Sequence, residues 1–143
     1  MRNILFSVLL FVFVCGCEQS QSESESVACA APLPPPGSTE LLRTDIRAAD
    51  NIEIIVANVF LPPGVEVPRH YHPGEEFLYV VQGSAVQVEE GRANRELKAG
   101  EAYVIPPEVI HEPYGGPEGA HAIVFRIHIK GEEERYLVPE PSS

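Results

Sequence analysis

The stretch GVEVPRHYHPGEEFLYVVQG, residues 64–83, carries the reading of this chain. His70 and His72 are two apart, so on extended backbone both imidazoles project from one face while Arg69 and Tyr71 project from the other. Two imidazoles on one face of a strand are the beginning of a metal site. Pro73-Gly74 interrupts that strand. Glu76 then opens a run in which Glu76, Leu78 and Val80 share one side, and Phe77, Tyr79 and Val81 the other. Both sides are apolar beyond Glu76, which predicts a strand buried on each face. A carboxylate at the start of such a strand is costly unless paired, and a bound cation would pair it.

Outward from this stretch, short runs rich in Val, Ile, Phe and Tyr recur at 52–60, 76–82, 85–89, 102–105 and 122–129, with a last short one at 136–138. Pro62-Pro63-Gly64, Gln82-Gly83, Glu90-Gly91, Pro106-Pro107 and Gly115-Gly116-Pro117 supply turns between them. Apart from a turn or two of helix near 44–50, no 3.6-residue pattern is sustained. Many short strands at this spacing predict an all-β sandwich or barrel. A chain of 143 residues makes one such domain. Its formal net charge of -11 excludes nucleic acid as a partner, because a phosphate backbone calls for clustered Lys and Arg.

The first residues read as an export signal rather than as fold. Arg2 precedes an apolar run at 4–14 that is too short to span a bilayer, and the run ends in Val14-Cys15-Gly16-Cys17. That ending resembles the lipobox of bacterial lipoproteins and marks Cys17 for lipidation. Residues 1–16 are then a lipoprotein-type signal peptide and 17–40 a Ser/Glu/Pro tether that cannot bury enough apolar area to order itself. Residues 41–140 are the barrel. The resemblance implies a membrane-anchored protein on the periplasmic face of a bacterial membrane. Cleavage would remove Cys15 and lipid would occupy Cys17, leaving Cys29 without a disulfide partner.

Gly64, His70, His72, Glu76 and Gly83 occupy every fixed position of the first cupin motif, G-x5-H-x-H-x3-E-x6-G. Gly100, Pro106 and His111 fit the second, G-x5-P-x-G-x2-H-x3-N, with Glu108 standing for its second Gly and Gly115 for its Asn. On these residues the chain resembles the cupin superfamily as a small single-domain member. The resemblance implies a double-stranded β-helix, or jelly roll, in which His70, His72, Glu76 and His111 converge on one divalent ion. Three neutral imidazoles and one carboxylate suit Mn, Fe, Cu, Ni or Zn with positions left open for water or substrate, and export to a compartment outside the cytoplasm favours Cu and Zn.

Two functions remain open on this reading. One is a mononuclear metalloenzyme of dioxygenase, isomerase or lyase type acting on a small oxygen-rich molecule. The other is a non-catalytic lipoprotein that binds a metal or small ligand. His121 shares its alternation with Ile123, Phe125, Ile127 and Ile129, so it faces either the pocket or a strand-end surface. His128 falls with Arg126 and Lys130 on the opposite, polar face, where it would be solvated. The doubly apolar strand beyond Glu76 suggests packing in a homodimer.

Overall fold

The computed structural model describes residues 33–140, and these form eight β-strands and no helix. Strands β1 (Gly37–Asp45), β2 (Ile52–Leu61), β7 (Tyr114–Ile129), β4 (Glu76–Gln87) and β5 (Arg95–Lys98) lie side by side in that order, and β6 (Ala102–Ile105) also pairs with β4. Facing them are β3 (His70–Tyr71) and β8 (Tyr136–Leu137), a two-stranded pair extended by single bridges from His70 to His111 and from His111 to Glu89. The architecture is the all-β double-stranded β-helix expected from the short-strand pattern. The signal peptide, Cys17 and most of the tether fall outside the described residues.

The apolar core has two parts. Leu78, Val80, Leu97, Ile105 and Val124 form one cluster, and Leu61, Ala85 and Ala120 the other. Every one of these side chains on β4 and β7 has an even number on β7 or an inward position on β4, so one face of each long strand builds the interior. Their removal from water, at roughly 25 cal/mol per Å2 of apolar surface, stabilises the packing of the strands.

Four local expectations give way to the structure. Gln82-Gly83 is no hairpin turn but a bulge inside one continuous β4, with Gly83 at φ 73°. Gly115-Gly116-Pro117 likewise lies within β7: a Cβ on Gly115 would stand 2.1 Å from the Pro62 carbonyl oxygen, so glycine there permits close strand approach rather than a turn. Strand β1 begins at Gly37, inside the stretch read as tether, because an edge strand exposed over nearly its whole length carries no alternation to betray it. Finally, the strand after Glu76 is buried on one face only, with Phe77, Tyr79 and Val81 each more than 40% exposed on the other.

Glu108 adopts a left-handed φ of 61° where the second cupin motif carries Gly. Its N–H donates to the His72 carbonyl at 2.9 Å, so the turn after Pro106-Pro107 straps the end of the histidine strand. A strained non-glycine residue is thus tolerated at a position that fixes His72.

Candidate metal centre

His70 and His111 face each other across an antiparallel bridge. His70 N–H donates to the His111 carbonyl at 3.0 Å and His111 N–H to the His70 carbonyl at 2.8 Å, which places both side chains on the same face. Their rings lie 4.2 Å apart, centroid to centroid, and His72 joins them from two residues along. The ligand atoms of His70, His72 and His111 all lie within 4.8 Å of one another, and all three residues are buried. Residues 41 positions apart in sequence meet through register alone.

The backbone settles which nitrogen each ring offers. Nδ1 of His70 points at the Pro68 carbonyl at 2.7 Å, Nδ1 of His111 at the Val109 carbonyl at 2.8 Å, and Nδ1 of His72 at the Glu134 carbonyl. A carbonyl only accepts, so each Nδ1 carries the hydrogen and each neutral ring presents the lone pair of Nε2. Burial, with the neighbouring imidazoles adding to it, lowers the His70 pKa from its usual 6.5 to about 4, and burial also lowers that of His111. At neutral pH these are unprotonated bases. The Nε2 atoms of His72 and His111 are buried with no hydrogen-bond partner, a cost that a ligand to those lone pairs removes.

Glu76 stands at the edge of this group. Its register partner on β7 is Arg126, whose Nε donates to Glu76 Oε2 at 2.6 Å. Burial alone would raise the Glu76 pKa, but the His72 contact and the Arg126 charge outweigh it and hold the carboxyl well below the usual carboxylate range. The same Oε2 lies 3.1 Å from His72 Nε2. Because Nδ1 donates to the Glu134 carbonyl, Nε2 brings a hydrogen to Glu76 only when the ring is protonated, and an unprotonated ring meets the carboxylate lone pair to lone pair. A cation between them resolves it: two ligands of one ion, each bonded at about 2.1 Å and at right angles, stand roughly 3 Å apart. The donor set fits a divalent ion, with three buried nitrogen lone pairs close together and an ionised oxygen beside one of them.

The structure thus brings His70, His72 and His111 into one cluster and places Glu76 against His72. Of the two other histidines, His121 takes one of the two positions the sequence left open and His128 departs from the expectation. His121 lies on the outer face, where Nε2 bonds Asn58 Oδ1 at 2.6 Å, and it does not reach the pocket. His128 is buried, 3.9 Å from Glu53, rather than solvated, and Arg126 faces inward rather than outward. The inner face of β7 is Ala120, Ala122, Val124, Arg126 and His128, small or polar residues that leave room, while the bulky Ile123, Phe125 and Ile127 point the other way. Assigning the bulkier apolar face to the interior inverts this strand.

The cluster opens on a cavity of about 610 Å3, lined by His70, His72, Glu76, His111 and Arg126 and walled largely by aliphatic side chains of β2, β4 and β7. Sequence reasoning missed two of its neighbours. Gln87 is inward on β4 and lines the cavity, and Glu89, the bridge partner of His111, is a buried carboxylate paired with Arg92. The parity signal that would have found them was broken by the bulges at Gly83.

Comparison with known proteins agrees with the fold. Residues 57–127 match a family model described as a cupin domain. Among solved structures, a cupin-like protein from Thermotoga maritima is 25% identical with a TM-score of 0.54, covering 71% of this chain and 74% of its own. An uncharacterised protein with a double-stranded β-helix domain from Klebsiella pneumoniae is 22% identical with a TM-score of 0.55, covering 73% and 85%. The DMSP lyase DddQ from Ruegeria pomeroyi is 26% identical with a TM-score of 0.53 over 66% of this chain, which spans only 47% of that enzyme's length. No curated protein matches the chain by sequence. Residues 57–127 thus match a cupin domain, and the described residues have the double-stranded β-helix fold.

Proposed function

We propose that this cupin-domain chain is a mononuclear divalent-metal protein, with His70, His72, Glu76 and His111 as ligands, that acts as an enzyme on a small oxygen-rich molecule held in the cavity. The carrying observation is the set of buried imidazoles whose Nδ1 atoms are all committed to backbone carbonyls, so that their Nε2 lone pairs are left for an ion. A bound Mn, Fe, Cu, Ni or Zn ion would supply Lewis-acid polarisation, or dioxygen activation for a redox-active metal, which covers dioxygenase, isomerase and lyase chemistry. The chain's own part is to hold the ion at the end of a largely apolar chamber. There the carboxylate of Glu76, kept ionised by Arg126, offsets the ion's charge.

The alternative, a non-catalytic binder of metal or small ligand, uses the same chamber. The two readings separate in one experiment: oxygen uptake or turnover of a panel of diketones, flavonols, thiols and keto acids by metal-loaded protein, lost in His72→Ala, supports the enzyme. Metal-dependent thermal stabilisation with no turnover supports the binder.

The setting of the domain follows from the N-terminal reading. Lipidation at Cys17 would anchor the protein at the periplasmic face of a bacterial membrane, with residues 18–36 as the tether. Membrane-fraction recovery that persists in Cys17→Ser would contradict this. A homodimer through the outer face that carries Phe77, Tyr79, Val81, Val104 and Phe125 is part of the same proposal, since that face exposes five large apolar side chains on adjoining strands.

A further inference from the structure

The cavity holds one buried polar group that neither the metal nor the fold uses. Gln87 is 3% exposed, lines the cavity, and leaves its carboxamide nitrogen without a hydrogen-bond partner. It ends β4 two residues before Glu89, whose backbone bridges His111, and it lines the same cavity as the imidazole cluster. An amide buried and unsatisfied in this way is kept at a cost to stability unless something bound supplies the acceptor.

The rest of the chamber defines what brings that acceptor. Much of the cavity wall is aliphatic, built from Ile55, Ala57, Leu78, Ala85, Ala122 and Val124. Such walls offer nothing to the hydroxyls of a sugar and bury methylene groups favourably. On the far side of the cluster Arg126 commits Nε to Glu76, and its guanidinium adds a fixed positive charge to the cavity lining. A divalent ion on the imidazoles would add its charge to that of Arg126 and favour an anionic head there, while the carboxylates of Glu40, Glu66 and Glu134 belong to the rest of the lining.

We propose that the cavity takes a short aliphatic carboxylate, its head placed at the imidazole cluster and received by the Gln87 carboxamide, its hydrocarbon chain lying along the β2–β4–β7 wall. This deepens the reading of the cavity as the substrate chamber and rests on it. Gln87 then acts as a positioning group that sets which molecules enter, while the ion-binding residues remain distinct from it.

Calorimetric titration of the full-length protein, metal-free and Zn-loaded, with acetate, butanoate, hexanoate, hexanol and glucose tests this. Affinity should rise about threefold to fourfold per added methylene from acetate to hexanoate, in line with burial of each group. Hexanol and glucose should bind far more weakly. Gln87→Leu should weaken hexanoate about tenfold while leaving Zn affinity unchanged and thermal stability equal or higher, because it removes an unsatisfied amide. A structural role for Gln87 would instead lower the melting temperature. The proposal is overturned if affinity ignores chain length, if glucose or hexanol binds as well as hexanoate, or if Gln87→Leu leaves hexanoate affinity intact. Failure of Zn to bind while hexanoate still does so in a Gln87-dependent way would sink the metal reading and leave this one standing.

Discussion

Arg126 sits directly opposite Glu76 on the β4–β7 ladder, and its guanidinium holds the carboxylate that faces His72. Both side chains are largely withdrawn from water, so each depends on the other for counter-charge. Removing one partner of such a pair leaves an uncompensated buried charge, which costs more than the intact pair contributes. Arg126→Leu should therefore lower the stability of the metal-free protein by about 3–5 kcal/mol in urea unfolding. Saturating metal should restore part of the loss by giving Glu76 a new cation. An unchanged urea midpoint would mean that the pair does not form.

Acid should weaken the metal-free fold through His70. Its pKa in the folded protein is about 4 against an ordinary 6.5, so between these values the unfolded chain binds a proton that the native state refuses. Stability thus rises with pH across that window and is lost as pH falls through it, by up to about 3 kcal/mol from His70. Glu76, whose carboxyl is held below its usual range, contributes stability above its ordinary pKa and loses it in still stronger acid. Urea midpoints measured from pH 7 to pH 4 should decline, and His70→Gln should flatten that decline. A flat wild-type profile would contradict the burial of a neutral imidazole.

The bulge in β4 requires glycine for two separable reasons. Gly83 has φ 73°, and a Cβ there would meet the Gly119 carbonyl oxygen at 2.1 Å, whereas Gly100 has φ 90° with nothing within 4 Å. Gly100→Ala should cost about 1–2 kcal/mol, the conformational penalty alone. Gly83→Ala should cost clearly more, because the β4–β7 ladder must shift as well. Equal losses in thermal unfolding would refute the close approach of these strands.

The exposed row of Phe77, Tyr79 and Phe125 on the outer face should mediate self-association. Sedimentation velocity should find a dimer for the wild type and a monomer for Tyr79→Glu, with far-ultraviolet circular dichroism unchanged. A monomeric wild type would remove the homodimer from the account.

Much of the site was legible in the sequence because it is written in local spacing. His70 and His72 at strand period, and Glu76 after the Pro73-Gly74 break, specify neighbours without knowledge of the fold. His111 came from motif resemblance, and its position depends on a single reciprocal backbone pair with His70 that no local pattern encodes. The outer strands were harder. The inward face of β7 is the one with the smaller and more polar side chains, because it lines a cavity as well as joining the core, so hydrophobic alternation pointed Arg126 and His128 the wrong way. Bulges at Gly83 and close-packed glycines at 115 and 116 resemble turns in sequence and are strand interiors in space. Gln87 and Glu89 lie beyond the bulge, where the alternation counted from Glu76 no longer holds.

The central claim is that His70, His72, Glu76 and His111 bind one divalent ion. Equilibrium dialysis of the metal-free wild-type protein against Zn2+, with the bound metal counted per chain beside His72→Ala and Glu76→Gln, measures it directly. The account predicts one ion per wild-type chain, affinity lowered at least about tenfold in Glu76→Gln, and no retained ion in His72→Ala. Stoichiometric binding that survives His72→Ala, or a wild-type chain that retains no metal, would contradict it.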